Sequence, residues 1–526
     1  MSNLNQLNTN FIDLLDKDLD LVRKKLELEE AKREKLKSDK RRIDHSEILQ
    51  IILNNIEEVD FREEAGDIEE SEKLKYKDFL VPCSDKVLET AEACGLGICN
   101  SRENVYLYNG EYWNCVSNHT FYTFLGAAAL KMGLTRNTSK LYTFREQVTK
   151  QLLSVARKYD VNDFNNTTNN SNEKILINLL NGTFEIDGYD MRLRKPEKDD
   201  FLTYQLPFKY DESAECPMFD EYLNSVLPDK NNQKILMEYL GYIFVRTNAL
   251  KLEKTLLLYG TGANGKSVLF EILNALLGGS NNVSTYSLQN LTNENGYYRA
   301  MLGNKLVNYA SEINGKMDVS IFKQLVSGEP VDARLPYGEP FTLTNYGKLI
   351  FNCNQLPTSV ENTHAFFRRF LIIPFEVTIP KEKQDKKLAQ KIIKSELSGV
   401  LNRVLEGLKR ILEQESFTES ETSDEIINNY ITVSDTVSMY IDEMGYESAD
   451  EIVIASTLFE EYKSFCLDSG YNPIGKHTFN QRLKSRGFKI ERRNVGMVAY
   501  VKKYKFEKET SQTSQTSPDC LIVDRN

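Results

Sequence analysis

Residues 256–273 read LLLYGTGANGKSVLFEIL, an apolar run, a glycine-rich loop and an amphipathic stretch in succession. Within it Gly260, Gly265, Lys266 and Ser267 fit the spacing G-x-x-x-x-G-K-[ST]. Such a loop cradles phosphate oxygens with inward-turned backbone amides, which requires glycine wherever a side chain would clash or the backbone takes positive φ. Gly260, Thr261, Gly262, Ala263, Asn264, Gly265, Lys266 and Ser267 are therefore the expected nucleotide-binding loop. Lys266 is placed to reach the β- and γ-phosphates of ATP, and the Ser267 hydroxyl to ligate Mg²⁺. The flanks agree, because KTLLLY (254–259) reads as a buried strand and KSVLFEILNALLG (266–278) as a helix. The stretch sets the fold class as α/β, built on a P-loop core.

Downstream, KLVNYASEI (305–313) is an apolar strand ending in Glu312, an acid able to orient or deprotonate an attacking water. On the residues alone a solvated surface acid reads equally well, and Ala310 and Ser311 stand where an aspartate more often accompanies it. A further apolar strand, GKLIFNCN (347–354), ends in Asn354, whose amide can hydrogen-bond a γ-phosphate or its water. FFRRFLIIPF (366–375) then brings Arg368 and Arg369. Surface arginines ahead of a strand are common, but one inserted into a neighbour's site contributes roughly 10³ to 10⁵ in rate. Lys266, Glu312, Asn354, Arg369 and Arg368 are the expected catalytic set, with Ser267 and Glu312 as metal ligands.

At 526 residues the chain exceeds one hydrophobic core, so several domains are expected. The polar start MSNLNQLNTN is no signal peptide, and no apolar run approaches the length that spans a bilayer, so a cytoplasmic protein with no membrane partner is expected. Eight cysteines without a secretory signal are expected to be reduced thiols. A net charge of −11 argues against coating nucleic acid over the whole surface. Residues 475–508 nevertheless contain eleven Lys or Arg against Glu491 and Glu507, and local charge of this kind steers a polyanion.

Residues 1–76 read as a helical, charged segment, with Ile12, Leu15, Leu19, Val22 and Leu26 at steps of three and four. About two heptads is short for a coiled coil, so an amphipathic helix is expected there. Residues 77–215 read as α+β, with strands in NVYLYNGEYWNC (104–115), ILINLLNGTFEI (175–186) and FLTYQLPF (201–208), and with NDFNNTTNNSNEK (162–174) as a surface loop. Residues 216–250 are helical, 251–378 hold the ATPase core, and 379–425 read as a helical extension ending in an acidic linker from about 415. Residues 426–508 form the last ordered unit, and 509–526 have the composition of disorder.

In that last unit the helices SDTVSMYIDEM (434–444), ASTLFEEYKSFCLDSG (455–470) and KHTFNQRLKSRG (476–487) precede a hairpin, FKIERRNVGMVAYVKKYKF (488–506), an order that suggests a winged helix. Thr478 is the expected N-cap of the third helix, along which Lys476, Arg482, Lys484 and Arg486 spread charge. Lys489, Arg492, Arg493, Lys502 and Lys503 load the wing. Most basic winged helices bind DNA and some serve protein contacts; DNA is expected here, through salt-sensitive phosphate contacts.

The motif series resembles superfamily 3 helicases, the compact AAA+ ATPases of small viruses, phages and plasmids, and more closely the phage and plasmid primase-helicase family. The matching text is NGEYWNCVSNHTFYTFLGAAALKMG, NLLNGTFEI, QLPFKYDESAECPMFDEYL, GTGANGKS, NKLVNYASEI, FKQLVSGEPVDARLPYGEPFTLTNYGKLIFNCNQLP and FFRRFLIIPFE, within roughly residues 77–506. The resemblance implies a AAA+ P-loop ATPase core with an N-terminal α+β domain, a helical collar and a C-terminal winged-helix domain. It implies Gly260, Gly262, Asn264, Gly265, Lys266 and Ser267 as the phosphate loop, Glu312 as the hydrolytic acid and Asn354 as the γ-phosphate sensor. Arg369, with Arg368 as its rival, would be the finger reaching the adjacent subunit's ATP. Ser311, standing where an acid is frequent, leaves the Mg²⁺ shell open.

The same resemblance implies a homo-hexameric ring pulling single-stranded DNA 3′ to 5′ in the replication of a mobile element. Such a ring would load itself at an origin duplex or fork, with a primase or polymerase as candidate partner. EPVDARLPYGEPFTL (329–343) alternates and turns like a hairpin around Pro336 and Gly338. In the resembling family a hairpin here enters the pore, where Arg334 would pair with phosphate and Tyr337 would stack on a base or sugar, worth about 1–3 kcal/mol per base. The plainer alternative is a surface hairpin with Tyr337 packed on its neighbour. Lys323, in VSIFKQLVSG (319–328), is a further pore candidate.

Two other function classes fit parts of this text. One is an origin-binding initiator whose ATPase drives assembly rather than unwinding; the other is a small-molecule kinase, in which the hairpin, sensor and arginines would be idle. Cys94, Cys99, Cys115 and His119 have spacings a zinc site tolerates, but the text between them is strand-like and the resembling family is not defined by metal there. A primase domain is not expected, since the first 76 residues are too short and too helical to supply one.

Overall fold

The computed structural model describes residues 42–503 apart from 65, 67–71, 102, 158–173, 189, 248, 312, 314–316 and 358–362. The helix expected at 12–26, nearly all of the loop at 162–174, Glu312 and the tail at 509–526 lie outside the described residues. The chain divides into two compact units, one holding residues up to Gln355 and then Ile373–Ser420, the other Leu356–Ile372 and the residues from Glu421 onward.

The first unit opens with α1 (His45–Asn55), capped by Asp44, whose carboxylate accepts from the Ser46 amide at 2.9 Å. Ile48 and Ile52 of α1 share one core with residues of α2 (Lys77–Ala93), α3 (Asn118–Lys131) and α4 (Tyr142–Val155), among them Val87, Phe121 and Phe144. The boundary expected at 77 is therefore corrected to about residue 43: ending the domain there would strip one wall from this core. Beside these helices lie two antiparallel sheets, β1 (Gly97–Ser101), β2 (Asn104–Tyr108) and β3 (Trp113–Cys115), then β4 (Ile175–Leu179), β5 (Gly182–Asp187) and β6 (Asp190–Arg194). FLTYQLPF (201–208), expected as a strand, is extended without joining a ladder. Its bonds go to different elements, the Leu202 carbonyl to the Trp113 amide and the Leu206 amide to the Asn178 carbonyl, so no single register can propagate.

Helix α5 (Pro217–Val226) starts at a proline, and its free amides at Met218 and Phe219 are taken by the Glu396 carboxylate at 3.1 and 2.9 Å. After α6 (Lys230–Tyr242) comes the central sheet. It contains β7 (Thr255–Tyr259), followed by α7 (Lys266–Leu276), β8 (Val283–Ser284), β9 (Val307–Ala310), α8 (Val319–Ser327), the hairpin β10 (Val331–Arg334) and β11 (Pro340–Leu343), then β12 (Lys348–Cys353) and β13 (Phe370–Pro374). The strand order is β13-β7-β12-β9-β8, with β7, β12, β9 and β8 parallel. Leu256, Leu257, Leu258, Ile350 and Phe351 are wholly buried, as expected of strands covered on both faces. Parallel alignment gathers the carboxyl ends of these strands at one edge, where an open α/β sheet holds its ligands.

Two further helices, α9 (Leu388–Ser395) and α10 (Leu397–Gln414), close the unit. A Cβ on Gly407 of α10 would stand 2.4 Å from the Met237 backbone of α6, so glycine permits this close approach. The stretches expected as a separate collar and a separate extension thus form one helical layer. The expected linker from 415 is also corrected as far as residue 420. Phe417 stacks against Tyr239 at 5.9 Å, while the Thr418 amide and hydroxyl donate to the fully buried Glu238 carboxylate at 2.8 and 2.6 Å. Arg410 Nε donates to the same carboxylate at 2.6 Å, which offsets the cost of burying its charge.

The second unit contains α11 (Glu421–Ser434), α12 (Thr436–Glu443), β14 (Tyr446–Ile454), α13 (Ala455–Asp468), α14 (Lys476–Ser485), β15 (Ile490–Arg493) and β16 (Gly496–Lys503). The strands form an antiparallel sheet in the order β14-β16-β15, and Val437, Tyr440, Tyr462, Phe479, Leu483 and Val501 fill the core beneath it. Strand β14 was not expected. Its residues are largely exposed, include Glu447, Asp450 and Glu451, and shift register between Ser448 and Ile452, which erases the alternation by which a strand is recognised. Within this unit Tyr430 of α11 donates its hydroxyl to the Pro357 carbonyl at 2.6 Å.

Candidate nucleotide site and nucleic-acid surfaces

Strand β7 ends at Tyr259 and α7 begins at Lys266, so residues 260–265 must turn between a buried strand and a helix. The turn uses positive φ at Gly262 (+117°), Ala263 (+50°) and Gly265 (+90°). At Gly260 the demand is steric, since a Cβ would lie 2.3 Å from the Phe375 carbonyl oxygen. A Cβ on Gly262 would meet nothing within 4 Å, so that side of the turn is open. The Lys266 ammonium is buried inside the loop and donates to the Gly260 carbonyl at 2.6 Å and to Asn264 Oδ1 at 3.0 Å. Burial lowers its pKa from the ordinary lysine value.

The loop is held from three directions. Asn264 Nδ2 donates to the Phe375 carbonyl at 2.7 Å, so one amide ties the lysine to the chain just beyond β13. The Ile379 amide donates to the Ala263 carbonyl at 2.9 Å, and the Tyr222 hydroxyl of α5 donates to the Gly265 carbonyl at 2.9 Å. Tyr222 and Phe375 were missed in the sequence, because one acts by a hydroxyl and the other by a backbone carbonyl, and no spacing marks either. The positive-φ turn, the open side at Gly262, the inward ammonium and the exposed Ser267 on the first turn of α7 together fit a nucleotide's phosphates and their cation.

Asn354 is exposed at the same edge, one residue beyond Cys353, whose carbonyl accepts from the Gly260 amide at 3.0 Å. Strand β9 ends alongside, with Ala310 opposite Phe351, so Ser311 leaves the sheet at this edge too. Glu312 is outside the described residues. Arg368 and Arg369 belong to the second unit; Arg368 is exposed, whereas Arg369 is largely buried and donates to the Ala365 carbonyl. The Phe375 amide donates to the Tyr259 carbonyl at 2.6 Å. Within the first unit the structure therefore brings residues 260–267 and Asn354 together.

The hairpin stands as expected between β9 and β12. Val331, Ala333 and Leu343 bury its base, where Arg334 opposes Pro340, and residues 335–339 make the tip. Tyr337 at the tip is fully exposed with φ +60°, so the alternative in which it packs on a neighbour does not hold. Exposed Arg334 donates Nε to the Gly338 carbonyl at 3.0 Å, keeping its guanidinium beside the tip. Buried Arg299, unnoticed in the sequence, anchors the base by donating to the Asp332 and Leu291 carbonyls at 2.8 and 3.0 Å. Lys323 is half-buried on α8.

On the second unit the basic residues divide into two groups. Arg482 pairs with Asp435 at 3.4 Å, and Arg486 holds Asp442 with two contacts at 2.9 and 3.1 Å while donating to the Ser438 carbonyl. Both were expected on a DNA surface, yet both clamp α14 to α12. Glu491 draws in Arg493 at 2.7 Å and Lys489 at 3.5 Å, and its carboxyl is held down at about 2 by the Tyr500 hydroxyl and then by Arg493. Lys502 and Lys503 face Glu451 and Glu461 at 3.7 and 3.9 Å. Lys476, Lys484 and Arg492 remain as exposed cations with no carboxylate within ion-pair distance among the described residues. Thr478 is not the N-cap: the helix starts at Lys476 and Gly475 occupies the cap, where it offers no side chain.

Cys94 and Cys99 are buried and Cys115 is exposed. Among the described residues no three metal-ligating side chains converge anywhere. No helix among them is long and apolar enough to cross a membrane.

Three family models match successive stretches of the chain. One described as D5 N terminal like matches residues 92–228, one described as a family of unknown function (DUF5906) matches 258–369, and one described as poxvirus D5 protein-like matches 433–517. The chain is similar to a protein of Acanthamoeba polyphaga mimivirus named as a candidate helicase, L207/L206, at 27% identity over 265 residues, 47% of this chain and 26% of that one. It is also similar to a protein of Invertebrate iridescent virus 3 named likewise, 121R, at 25% identity over 222 residues, 38% of this chain and 23% of that one. The chain thus spans about a quarter of the length of the curated relatives it matches. Among solved structures, the NrS-1 C terminal region aligns with a TM-score of 0.44 at 10% identity, over 78% of this chain and 97% of that chain. The D5-type matches and the two viral relatives support kinship with D5-type helicases.

Proposed function

We propose that the chain is an ATP-dependent DNA helicase of the superfamily 3 type, acting in the replication of a virus, phage, plasmid or similar mobile element. The observation that carries this reading is the loop itself, in which Lys266 is held inward by Gly260 and Asn264 at the carboxyl edge of a parallel sheet with Asn354 beside it. The strand order β13-β7-β12-β9-β8 supports a AAA+ core, because it sets the loop strand between β13 and the strand that carries Asn354.

Bound ATP would place its β- and γ-phosphates against the α7 amides and Lys266, with Mg²⁺ on Ser267, and would supply the free energy of hydrolysis. Lys266 can turn its ammonium from the Gly260 carbonyl to phosphate oxygen. Asn354 orients the terminal phosphate or the water beside it, and Glu312 is the proposed base. Arg369 or Arg368 is proposed to act on a neighbouring subunit's nucleotide in a ring, proposed to be hexameric and to move 3′ to 5′. The hairpin tip is the proposed DNA grip, with Lys323 behind it. The α12-β14-α13-α14-β15-β16 order supports a winged helix for the second unit, where Lys476, Lys484 and Arg492 would meet duplex phosphates and help the ring load at an origin.

ATP hydrolysis with and without single-stranded DNA tests the reading. Arg334→Ala and Tyr337→Ala are each expected to keep DNA-independent turnover within about twofold and to lose most of the stimulation by DNA, on the scale of one stacking or phosphate contact. Equal stimulation in both variants and in the unaltered chain removes the hairpin from the DNA path.

A further inference from the structure

Strand β12 runs between two edges of the sheet. Its carboxyl end leads to Asn354, and its first residue, Lys348, stands at the opposite edge beside a cavity of about 130 Å³. Lys174, Arg246, Lys305 and Lys348 line this cavity together with Tyr204 and Tyr346, and no Asp or Glu is among its lining residues. Lys174 is drawn towards Glu185 and Asp187, both at 3.2 Å, and Arg246 is exposed, which leaves Lys305 and Lys348 as the two partly buried lysines of the lining.

Neither inner lysine is neutralised by a carboxylate in the described structure. Lys348 donates to Thr247 Oγ1 at 3.3 Å and lies 4.1 Å above the Tyr242 ring, and Lys305 donates to the Ser280 and Asn281 carbonyls at 2.7 and 2.8 Å. An ammonium has three donors, so Lys348 keeps two and Lys305 keeps one. Burial lowers the pKa of both, that of Lys348 to about 8, the expected strain of cations withdrawn from water without an anion. The cavity has room for a tetrahedral oxyanion.

We propose that this chamber is a second phosphoryl-binding site, in which Lys348 and Lys305 grip a phosphate group supplied either by free phosphate or by the backbone of a nucleic-acid strand. It is separate from the Gly260–Ser267 loop and does not rest on the helicase reading. Through β12 it would sense an anion at one sheet edge while Asn354 serves the other.

The test uses the full chain carrying Lys266→Ala, which weakens the loop's own hold on phosphate. Inorganic phosphate is titrated against the thermal midpoint, and the titration is repeated in the presence of a short oligo(dT). The midpoint is expected to rise with phosphate, and Lys348→Met or Lys305→Met added to this background is expected to weaken the apparent affinity at least about tenfold, the loss of one charge-assisted contact. Competition by oligo(dT) identifies a strand backbone as the source, and its absence identifies free phosphate. No rise in the parent, or an equal rise in both lysine variants, overturns the site. Lys348→Met retains an apolar stem over Tyr242, and Lys305→Met at the other wall supplies an independent reading should one variant be poorly folded. Because Lys266 is absent throughout, either result leaves the nucleotide reading of the loop untouched.

Discussion

Tyr222 illustrates how much of the nucleotide loop depends on a residue remote from it in sequence. Its hydroxyl fixes the Gly265 peptide, and with it the direction of the first amides of α7, from a fully buried position on α5. Tyr222→Phe removes that bond while keeping the ring, and a lost buried hydrogen bond of this kind is worth about 1 kcal/mol. The expected result is a KM for ATP raised severalfold with a smaller change in kcat; an unchanged KM would show that the hydroxyl only fills space. Lys348 carries a second prediction. Its folded pKa of about 8 lies below the ordinary lysine value, so between about 8 and 10.5 the unfolded chain holds the proton that the folded chain has released. This group therefore raises stability as pH climbs through that window and imposes its full penalty below it. Urea unfolding at pH 7 and pH 9.5 should show a smaller difference in Lys348→Met than in the unaltered chain, and equal differences would count against the assignment. At this scale the glycines and Lys266 were legible, because their chemistry is set by spacing along the loop. Tyr222, Glu238 and Glu396 were not, because each is defined by a partner supplied by the fold.

Helix α14 shows what charge counting along an element misses. Four cations along it suggested a continuous DNA-facing stripe, but a helix turns its side chains around its axis, and Arg482 and Arg486 face α12. Ala at either arginine is expected to lower the stability of the second unit by about 0.2–1 kcal/mol, as for partly exposed pairs. Joint replacement of Lys476, Lys484 and Arg492 by Gln should leave the thermal midpoint in place and flatten the salt dependence of duplex binding by about three units of slope. Undiminished binding and slope in that triple variant would assign the surface to another partner. The hairpin was legible from alternation and its Pro and Gly, whereas β14 was hidden by its acidic, exposed composition and its register shift. The segment at 415–420 looked like a linker because its polarity is spent on buried partners, Glu238 above all, and not on solvent.

Across the whole chain, the α/β class and the central P-loop unit follow from one strand-loop-helix stretch, and the basic C-terminal unit from its charge and element order. The domain limits were less legible. Helix α1 carries the same polar-apolar mixture as the segment before it, and only the shared core of Ile48, Ile52 and Phe121 assigns it to the α+β domain. The layer made by α6 and α10 joins residues more than 150 positions apart, through a glycine contact that no local pattern announces. The loop's nucleotide is proposed to drive movement along DNA. Strand displacement on a forked duplex tests it most directly, comparing the unaltered chain with Lys266→Ala in the presence of ATP and Mg²⁺. The unaltered chain is expected to separate the strands when ATP is present, and Lys266→Ala is expected to separate none. Hydrolysis that requires Lys266 but separates no strands, on forks with either a 3′ or a 5′ single-stranded arm, would contradict it.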